Sequence, residues 1–267
     1  MFWQDFLAQA TLFSWGPVSI RWYGLLMVLA ILLAAFYALK KAKNKPQISQ
    51  NKLDELFFYL LIFGLLGARL YHVFFFSWTY FSHNLLEIFQ VWHGGLAIQG
   101  ALLAGVLTVY FWTKKNNMSF WQISDWLAPA LSLGQFLGRW GNYFNQELFG
   151  KPSDAWYAIP IATVNRVEGF KNFTHFQPTF FYESILDLFL FFVLVYLIKK
   201  KPQRSVITWA YLAGYGLIRF SLEFLRIDPA PIVFGLRFPQ LISLVLFLVA
   251  IFYLFLKKSR VLPKLNK

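Results

Sequence analysis

One stretch of the chain places polar and charged side chains among glycines at the end of an apolar run. Residues 138–150 read GRWGNYFNQELFG and include Arg139, Asn142 and Glu147. An ionisable side chain at membrane depth is costly, so such residues usually mark a binding or catalytic site. The stretch therefore predicts a functional site.

Six arginines are predicted to lie in or beside the outer halves of apolar segments. They are Arg21, Arg69, Arg139, Arg219, Arg226 and Arg237. A guanidinium group offers a planar fork of donors that binds phosphate bidentately and keeps its charge. We predict that these side chains converge on an outer-leaflet cavity suited to a phospholipid headgroup. The alternative is that they only snorkel to the interface, which stays open for Arg21, Arg226 and Arg237.

A second charged group follows helical spacing near the C-terminal end of the chain. Arg219, Glu223 and Arg226 are separated by four and three residues, so they share one helix face, which Tyr215 extends by a turn. The group could bind a substrate or form a buried ion pair that fixes helix packing. The two interpretations are compatible, because Glu223 could orient an arginine that binds substrate.

Composition indicates an integral membrane protein. Of 267 residues, 58% are hydrophobic and only 14% are charged, against about 25% charged in soluble domains. The net charge of +13 is explained by lysine clusters between apolar runs, so no nucleic-acid partner is expected. There is no cysteine, and neither a HExxH motif, a GxSxG motif nor a P-loop is present. We expect no metal and no cofactor.

Hydrophobic runs of the required length predict seven transmembrane helices in an all-α polytopic membrane protein. Residues 1–267 are predicted to form a single transmembrane domain, with a small extracytoplasmic head at residues 141–177. The N-terminal segment has no signal-peptide features, so the first span is expected to be retained. The seven predicted spans are 18–39, 53–76, 96–112, 123–140, 180–198, 206–224 and 239–256.

Basic residues are concentrated in every second connection of this arrangement. Sixteen of the 25 lysines and arginines lie after the first, third, fifth and seventh spans. They are Lys40, Lys41, Lys43, Lys45, Lys52, Lys114, Lys115, Lys199, Lys200, Lys201, Arg204, Lys257, Lys258, Arg260, Lys264 and Lys267. By the positive-inside rule these connections face the cytoplasm. The N-terminus is therefore predicted outside and the C-terminus inside.

Taken together, these residues resemble the bacterial prolipoprotein diacylglyceryl transferase family. Residues 138–150 match its signature, G-R-x-G-N-[FY]-x-N-x-E-x-x-G, at every fixed position, from Gly138 to Gly150. Other similar blocks are GPVSIRWYGL (16–25), GARL (67–70), WHGGLAIQGALLAG (92–105), DWLAPALSLGQFLGR (125–139), QPTFFYES (177–184) and YGLIRFSLEFLR (215–226). The resemblance covers most of the chain, and seven spans with an outer N-terminus is also that family's topology.

The resemblance implies a reaction in the bacterial plasma membrane. The diacylglyceryl group of phosphatidylglycerol passes to the lipobox cysteine of a preprolipoprotein, giving a thioether and glycerol 1-phosphate. The thiol arrives with the substrate, so the enzyme needs no cysteine. Phosphatidylglycerol, lipobox segments and membrane lipids are the expected partners, and we expect a monomer.

The same resemblance implies roles for individual residues. Arg139 would bind phosphatidylglycerol with Arg219 as its essential partner, while Asn142 and Glu147 would hold the headgroup or position Arg139. The implied catalytic residues are Arg139, Arg219, Gln99, Glu147 and Tyr23. The implied substrate-binding residues are Arg139, Asn142, Arg219, Tyr215, Glu223, Arg226, Gly138 and Gly150.

One departure from the family concerns the base that would activate the thiol. Many members have histidine where this chain has Gln99, and glutamine is not a useful proton acceptor. Three explanations stay open: Glu147 or the leaving phosphate is the base, His93 substitutes, or the thiol needs no dedicated base. We favour the last, because a cysteine is already a few per cent thiolate at neutral pH. Gln99 would then serve as a hydrogen-bonding group.

Three other classes of protein could use the same features. A transporter or flippase for an anionic lipid would use the same arginines, but the chain has no inverted repeat. A membrane transferase with a different lipid donor usually carries aspartate-rich metal motifs, which this chain lacks. A non-catalytic membrane partner would not explain the buried polar cluster.

Overall fold

The computed structural model describes residues 2–16, 18–43 and 49–259. Lys45, Arg260, Lys264 and Lys267, which contributed to the topology prediction, lie outside them. The described chain is mostly helical. Its helices are α1 Phe2–Asp5, α2 Trp22–Lys43, α3 Gln50–Phe75, α4 Trp78–Phe81, α5 Ile98–Lys115, α6 Phe120–Phe144, α7 Thr179–Lys199, α8 Val206–Leu222 and α9 Phe238–Ser259.

Short antiparallel ribbons and 3₁₀ turns connect these helices, and the mostly helical chain is consistent with the predicted all-α membrane protein. The strands pair as β1 Thr11–Trp15 with β2 Val18–Arg21, β3 Ile159–Pro160 with β4 His175–Phe176, and β5 Ile232–Val233 with β6 Leu236–Arg237. The 3₁₀ turns are Leu85–Phe89, Val91–His93 and Thr163–Asn165. Each ribbon has only two strands.

A helix lies at each of the seven predicted spans, but several boundaries were wrong. The first span was predicted from residue 18, yet Val18–Arg21 is a strand that pairs with Thr11–Trp15. The chain turns between them at Gly16, whose φ of +57° suits a glycine. The third span begins two residues later than predicted, at Ile98, and runs to Lys115 rather than to residue 112.

The fourth span is longer than predicted, and this changes the position of the motif. Helix α6 runs from Phe120 to Phe144 rather than over 123–140, with Pro129 inside it. Residues 141–144 of the motif are therefore helical, and the outer connection begins at Asn145 rather than at residue 141. Helix α8 ends at Leu222, two residues before the predicted end of the sixth span.

Four helices of the described chain are long and apolar enough to cross a membrane. These candidate spans are Trp22–Lys41, Gln50–Phe75, Thr179–Lys199 and Phe238–Lys257, and Val206–Leu222 is a shorter apolar helix. Two charges, Arg139 and Asp125, interrupt α6, and two lysines end α5. The protein is therefore a helical membrane protein with at least four candidate spans.

The chain divides into two compact units. The first consists of Met1–Tyr37 and Leu127–Lys267, and the second of Ala38–Trp126. In the first unit, the connection between α6 and α7 packs around a buried apolar cluster. Its buried members are Ala8, Tyr143, Phe149, Ile159, Ile161, Phe176 and Phe180. This cluster fixes the C-terminal end of α6 against the start of α7.

In the second unit, helices α3 and α5 approach each other through two glycines. A Cβ atom added to Gly100 would lie 2.1 Å from the carbonyl oxygen of Gly67. A Cβ added to Gly67 would lie 2.4 Å from the Cβ of Ala104. The backbones meet so closely that neither position has room for a side chain, which is typical of helix packing in membranes.

This contact predicts that a single methyl group at Gly100 destabilises the protein. Gly100→Ala should cost about 1–3 kcal/mol through overpacking, despite the better helix propensity of alanine. Gly64→Ala is the matched control, since no atom lies within 4 Å of the added Cβ there. Thermal unfolding in detergent should show a lower midpoint for Gly100→Ala alone. Equal midpoints for the two variants would contradict the close approach of α3 and α5.

Candidate functional site

The last turns of α6 present the polar residues of the motif in a hydrogen-bonded chain. The Arg139 guanidinium donates from Nη1 to Oδ1 of Asn142 at 3.4 Å. Asn142 in turn donates from Nδ2 to Oε1 of Glu147 at 2.8 Å, and Asn145 donates to the same oxygen at 3.3 Å. Asn142 is buried and Glu147 is exposed. The motif thus connects a half-buried arginine to an exposed carboxylate through one amide.

A single carboxylate joins the two principal arginines. Glu183 on α7 accepts from Nη2 of Arg139 on α6, with an N···O distance of 2.7 Å. Its other oxygen lies 3.3 Å from Nη1 of Arg219 on α8. The Glu183 side chain is only 4% exposed, against 20% and 15% for the two arginines. Three helices are therefore tied together by one buried negative charge.

A second buried carboxylate, Glu223, gathers the arginines at the end of α8. Its Oε2 lies 3.0 Å from Nη2 of Arg219 and 4.0 Å from Nε of Arg226. Its Oε1 lies 3.3 Å from Nη2 of Arg237. The Glu223 side chain is 1% exposed. Arg219, Glu223 and Arg226 thus form a cluster, to which Arg237 also contributes, but the prediction of one shared helix face was wrong, because α8 ends at Leu222 and Arg226 forms a β-bridge with Gly150.

Asp228 completes this cluster. It pairs with Nε of Arg226 at 3.0 Å and with Nη2 of Arg237 at 3.2 Å. Arg237 also donates to the backbone carbonyls of Arg226 and Asp228, both at 2.5 Å. These bonds hold the β5–β6 ribbon against the end of α8. Arg226 and Arg237 are therefore committed to carboxylates, whereas the snorkelling alternative had them reach the interface.

Close packing places the tyrosine and glycines of the site. A Cβ added to Gly141 would lie 2.7 Å from Cδ2 of Tyr23, so that glycine lets the ring lie against α6. Tyr23 also interacts electrostatically with Arg139 and Glu147. Gly150 has no room either, since an added Cβ would lie 2.8 Å from Cγ2 of Thr179.

Two further predicted site residues, Gly138 and Tyr215, make ordinary packing contacts. A Cβ added to Gly138 would make only an ordinary contact, 3.6 Å from Sδ of Met27. Tyr215 lies one turn before Arg219 on α8, and its ring stacks on Tyr211 with centroids 5.9 Å apart. Tyr211 donates to Oε1 of Gln135 at 3.0 Å. The tyrosine pair thus lines the network on its α8 side.

Arg69, in the second unit, donates its hydrogen bonds to backbone carbonyls of the protein. It donates to the carbonyls of Glu87 (2.5 Å), Ile88 (2.8 Å), Gly94 (2.6 Å) and Gly95 (3.1 Å), and it is 5% exposed. The expectation that Arg69 offers its donors to a headgroup was therefore wrong. Its role is to fix the connection between α4 and α5. In that connection Tyr80 donates to Glu87 at 2.6 Å, and this hydrogen bond raises the pKa of the phenol.

Two other predicted residues, Gln99 and Arg21, are exposed. Gln99 lies in the first turn of α5 and is exposed, with no hydrogen-bond partner for its side chain in the described chain. Arg21 ends β2, is exposed and makes no ion pair with a described residue. The side chain of His93 lies outside the described part of the structure.

Several residues of the network were not predicted as site residues. Arg237 was predicted only as one of the six converging arginines, and Glu183, Asp187 and Asp228 were not predicted as site residues. Asp187 lies four residues after Glu183 in an otherwise apolar helix, a spacing that could have drawn attention to both acids. Among the described residues, no group of three or more His, Cys, Asp or Glu could hold a metal ion.

The free donors of this network suit an anion. Arg139 and Arg219 are partly exposed, and the Nε atoms of both have no acceptor among the described residues. In surroundings of low dielectric, such donors attract a negative group more strongly than they would in water. The chain is therefore a helical membrane protein in which two partly exposed arginines are joined by one buried carboxylate.

Comparison with known proteins identifies the family. The prolipoprotein diacylglyceryl transferase family model matches residues 10–256. The phosphatidylglycerol–prolipoprotein diacylglyceryl transferase of Trichormus variabilis is 39% identical over 236 residues, covering 86% of this chain and 82% of that protein. The Staphylococcus aureus protein of the same name is 35% identical over 255 residues, covering 95% and 90%. The chain belongs to the prolipoprotein diacylglyceryl transferase family, which confirms the resemblance.

The shared carboxylate predicts a large stability loss when it is removed. Glu183→Ala leaves Arg139 and Arg219 without their common partner, which should cost on the order of 3 kcal/mol. Glu168→Ala is the control, because that glutamate is exposed and makes no ion pair with a described residue. Denaturation in detergent should show a clear loss for Glu183→Ala only. If both variants were as stable as the wild type, the bridging role of Glu183 would be refuted.

Proposed function

We propose that this protein transfers the diacylglyceryl group of phosphatidylglycerol to the lipobox cysteine of prolipoproteins. The products are a thioether-linked prolipoprotein and glycerol 1-phosphate, in the first step of bacterial lipoprotein maturation. The observation that carries the proposal is the pairing of Arg139 and Arg219 on one carboxylate. Both arginines lie in the sequence blocks through which the chain resembles its family, whose relatives are named for this transfer.

Arg139 and Arg219 are proposed to bind the phosphate of phosphatidylglycerol. Their Nη atoms are held by Glu183, which sets the direction of both guanidinium groups. The remaining N–H groups can then donate to two phosphate oxygens without reorientation. Arginine suits this task because its donors are fixed in a plane and its charge is permanent.

The same two arginines are proposed to accelerate the reaction. The thiolate attacks the glyceryl carbon, the carbon–oxygen bond to phosphate breaks, and the electron pair leaves with the oxygen. The phosphodiester carries one negative charge, and more charge develops on it as it becomes a phosphomonoester. Donors already aimed at the phosphate therefore stabilise the transition state more than the ground state.

The other site residues are proposed to orient these groups. Asn142 hydrogen-bonds to both Arg139 and Glu147, so it holds Arg139 in a fixed position relative to Glu147. Tyr23 packs against Gly141 and interacts electrostatically with both Arg139 and Glu147. We assign the same supporting role to Tyr215, Glu223, Arg226, Gly138 and Gly150, of which Glu223 contacts Arg219 directly.

The thiol is proposed to react without a dedicated base from this chain. Gln99 cannot accept a proton usefully, whereas a cysteine of ordinary pKa is a few per cent thiolate at neutral pH. The substrate's thiol proton would pass to solvent or to the leaving phosphate. Gln99 is then proposed as a hydrogen-bonding group rather than as a base.

We also propose a topology for the chain. It has seven spans in the bacterial plasma membrane, an outer N-terminus, an inner C-terminus and an extracytoplasmic head between α6 and α7. The support is that each predicted span contains a helix and that basic residues alternate between connections. The chain acts as a single-domain monomer without metal, cofactor or nucleic acid, and its partners are phosphatidylglycerol, lipobox segments and membrane lipids.

A purified assay with Arg139→Ala tests the proposal. Wild-type protein in detergent, given phosphatidylglycerol and a lipobox peptide, should produce a peptide heavier by one diacylglyceryl group, read by intact mass. Arg139→Ala should lose at least about 100-fold in rate, as expected for removal of a preorganised donor. Arg21→Ala should keep activity, because Arg21 is exposed and makes no ion pair with a described residue.

The alternatives give different results in the same assay. Absence of adduct from folded wild-type protein that still binds phosphatidylglycerol would point to lipid transport instead. Full activity of Arg139→Ala would leave the transfer reaction standing but would refute the role of this arginine. Equal losses in the two arginine variants would indicate a general effect of removing positive charge.

A further inference from the structure

Asp187 is a buried acid that the proposed mechanism does not use. It lies one turn after Glu183 on α7, its side chain is 0% exposed, and neither carboxyl oxygen has a hydrogen-bond partner among the described residues. Its backbone carbonyl accepts from the Ser132 hydroxyl at 2.7 Å, which fixes the residue against α6. A buried carboxyl group without a hydrogen-bond donor from the protein is unusual.

Such surroundings favour the neutral form of the side chain. An ionised carboxylate without hydrogen bonds in an apolar interior is very costly, and a protonated one is much less so. The charged and titratable groups that face Asp187 come from all three helices packed there. They are Glu183 on α7, Arg139 on α6, and Arg219, Tyr211 and Tyr215 on α8. None of the arginines is in ion-pair contact with Asp187, since their described partners are Glu183, Glu223 and Asp228.

The charge of Asp187 decides the net charge of the arginine network. Within the ion pairs of the described chain, four arginines meet three carboxylates, which leaves one positive charge. The members are Arg139, Arg219, Arg226, Arg237, Glu183, Glu223 and Asp228. Glu147 is exposed and bonded to two asparagines, so water screens its charge. A neutral Asp187 keeps the surplus charge, and an ionised one cancels it.

We propose that Asp187 is a specificity-determining residue, whose neutral form lets the network bind a headgroup with one negative charge. A phosphodiester such as that of phosphatidylglycerol carries one negative charge, which matches the surplus. Ionisation of Asp187 would place a second negative charge behind Arg139 and Arg219 and weaken the binding of the anion. This inference rests on the proposed function, because it assumes that the network is the headgroup site.

Two measurements test this assignment with Asp187→Asn, which is neutral at every pH. The first is the infrared difference spectrum between the wild type and this variant, which reports a protonated carboxyl group through its C=O stretch. The second is the affinity for short-chain phosphatidylglycerol in phosphatidylcholine nanodiscs between pH 6 and about pH 10. Tyr211→Phe is the matched control, since it removes a neighbouring phenolic hydroxyl and leaves Asp187 in place.

The expected result is a protonated-carboxyl band at neutral pH that disappears as the pH rises. Wild-type affinity should fall by about tenfold over the same range, because the added negative charge repels the anionic headgroup. Tyr211→Phe should show the same fall, and Asp187→Asn should not. Phosphatidylcholine, which has no net charge, should bind without this dependence.

Other outcomes overturn the proposal. A carboxylate band at neutral pH would mean that Asp187 is a counter-ion. Parallel pH profiles for the wild type and Asp187→Asn, or a flat profile with a band that never changes, would show that Asp187 does not control headgroup binding. Loss of the fall in Tyr211→Phe would assign it to the tyrosine. Neither measurement uses peptide transfer, so a failed transferase assay with normal lipid binding would refute the proposed reaction without affecting this result.

Discussion

The bridge from Glu183 to Arg139 and Arg219 is the interaction on which the arginine network depends. Its carboxylate is nearly excluded from solvent, so it needs both guanidinium groups as partners. Since the two arginines belong to α6 and α8, the bridge fixes both helices against α7 at this depth. It also orients each guanidinium plane and leaves the Nε donors for another acceptor. A site built this way is preorganised for an anion before any substrate arrives.

The other ion pairs of the network stabilise the bridge between Glu183 and the two arginines. Glu223 shares Arg219 with Glu183 and also holds Arg237, which in turn fixes the β5–β6 ribbon. Arg226 and Arg237 thus serve mainly to compensate buried carboxylates, whereas Arg139 and Arg219 keep donors to spare. This division is why we propose that only two of the four arginines bind a phosphate. That phosphate would be the one of phosphatidylglycerol, the lipid for which the relatives of this chain are named.

The sequence predicted those features that depend on local pattern. Long apolar runs predicted α3 and α7 within three residues, because hydrophobic length alone determines a membrane helix. The prediction from sequence was wrong where a residue's conformation or contacts depend on partners distant in the chain. Val18–Arg21 is apolar enough for a helix but pairs with a preceding strand, and Arg69 finds carbonyls rather than a headgroup. Arg139 and Arg219 were predicted, but their common carboxylate was not, since it depends on how three helices pack.

A structure determined with bound phosphatidylglycerol would test the central claim most directly. The account predicts that the phosphate lies within hydrogen-bonding distance of both Arg139 and Arg219, on the side of the guanidinium groups not taken by Glu183. It also predicts that the Glu183 bridge persists in the complex. A phosphate bound elsewhere, for example at the lysine-rich end of α7, or one that displaces Glu183 from both arginines, would contradict it.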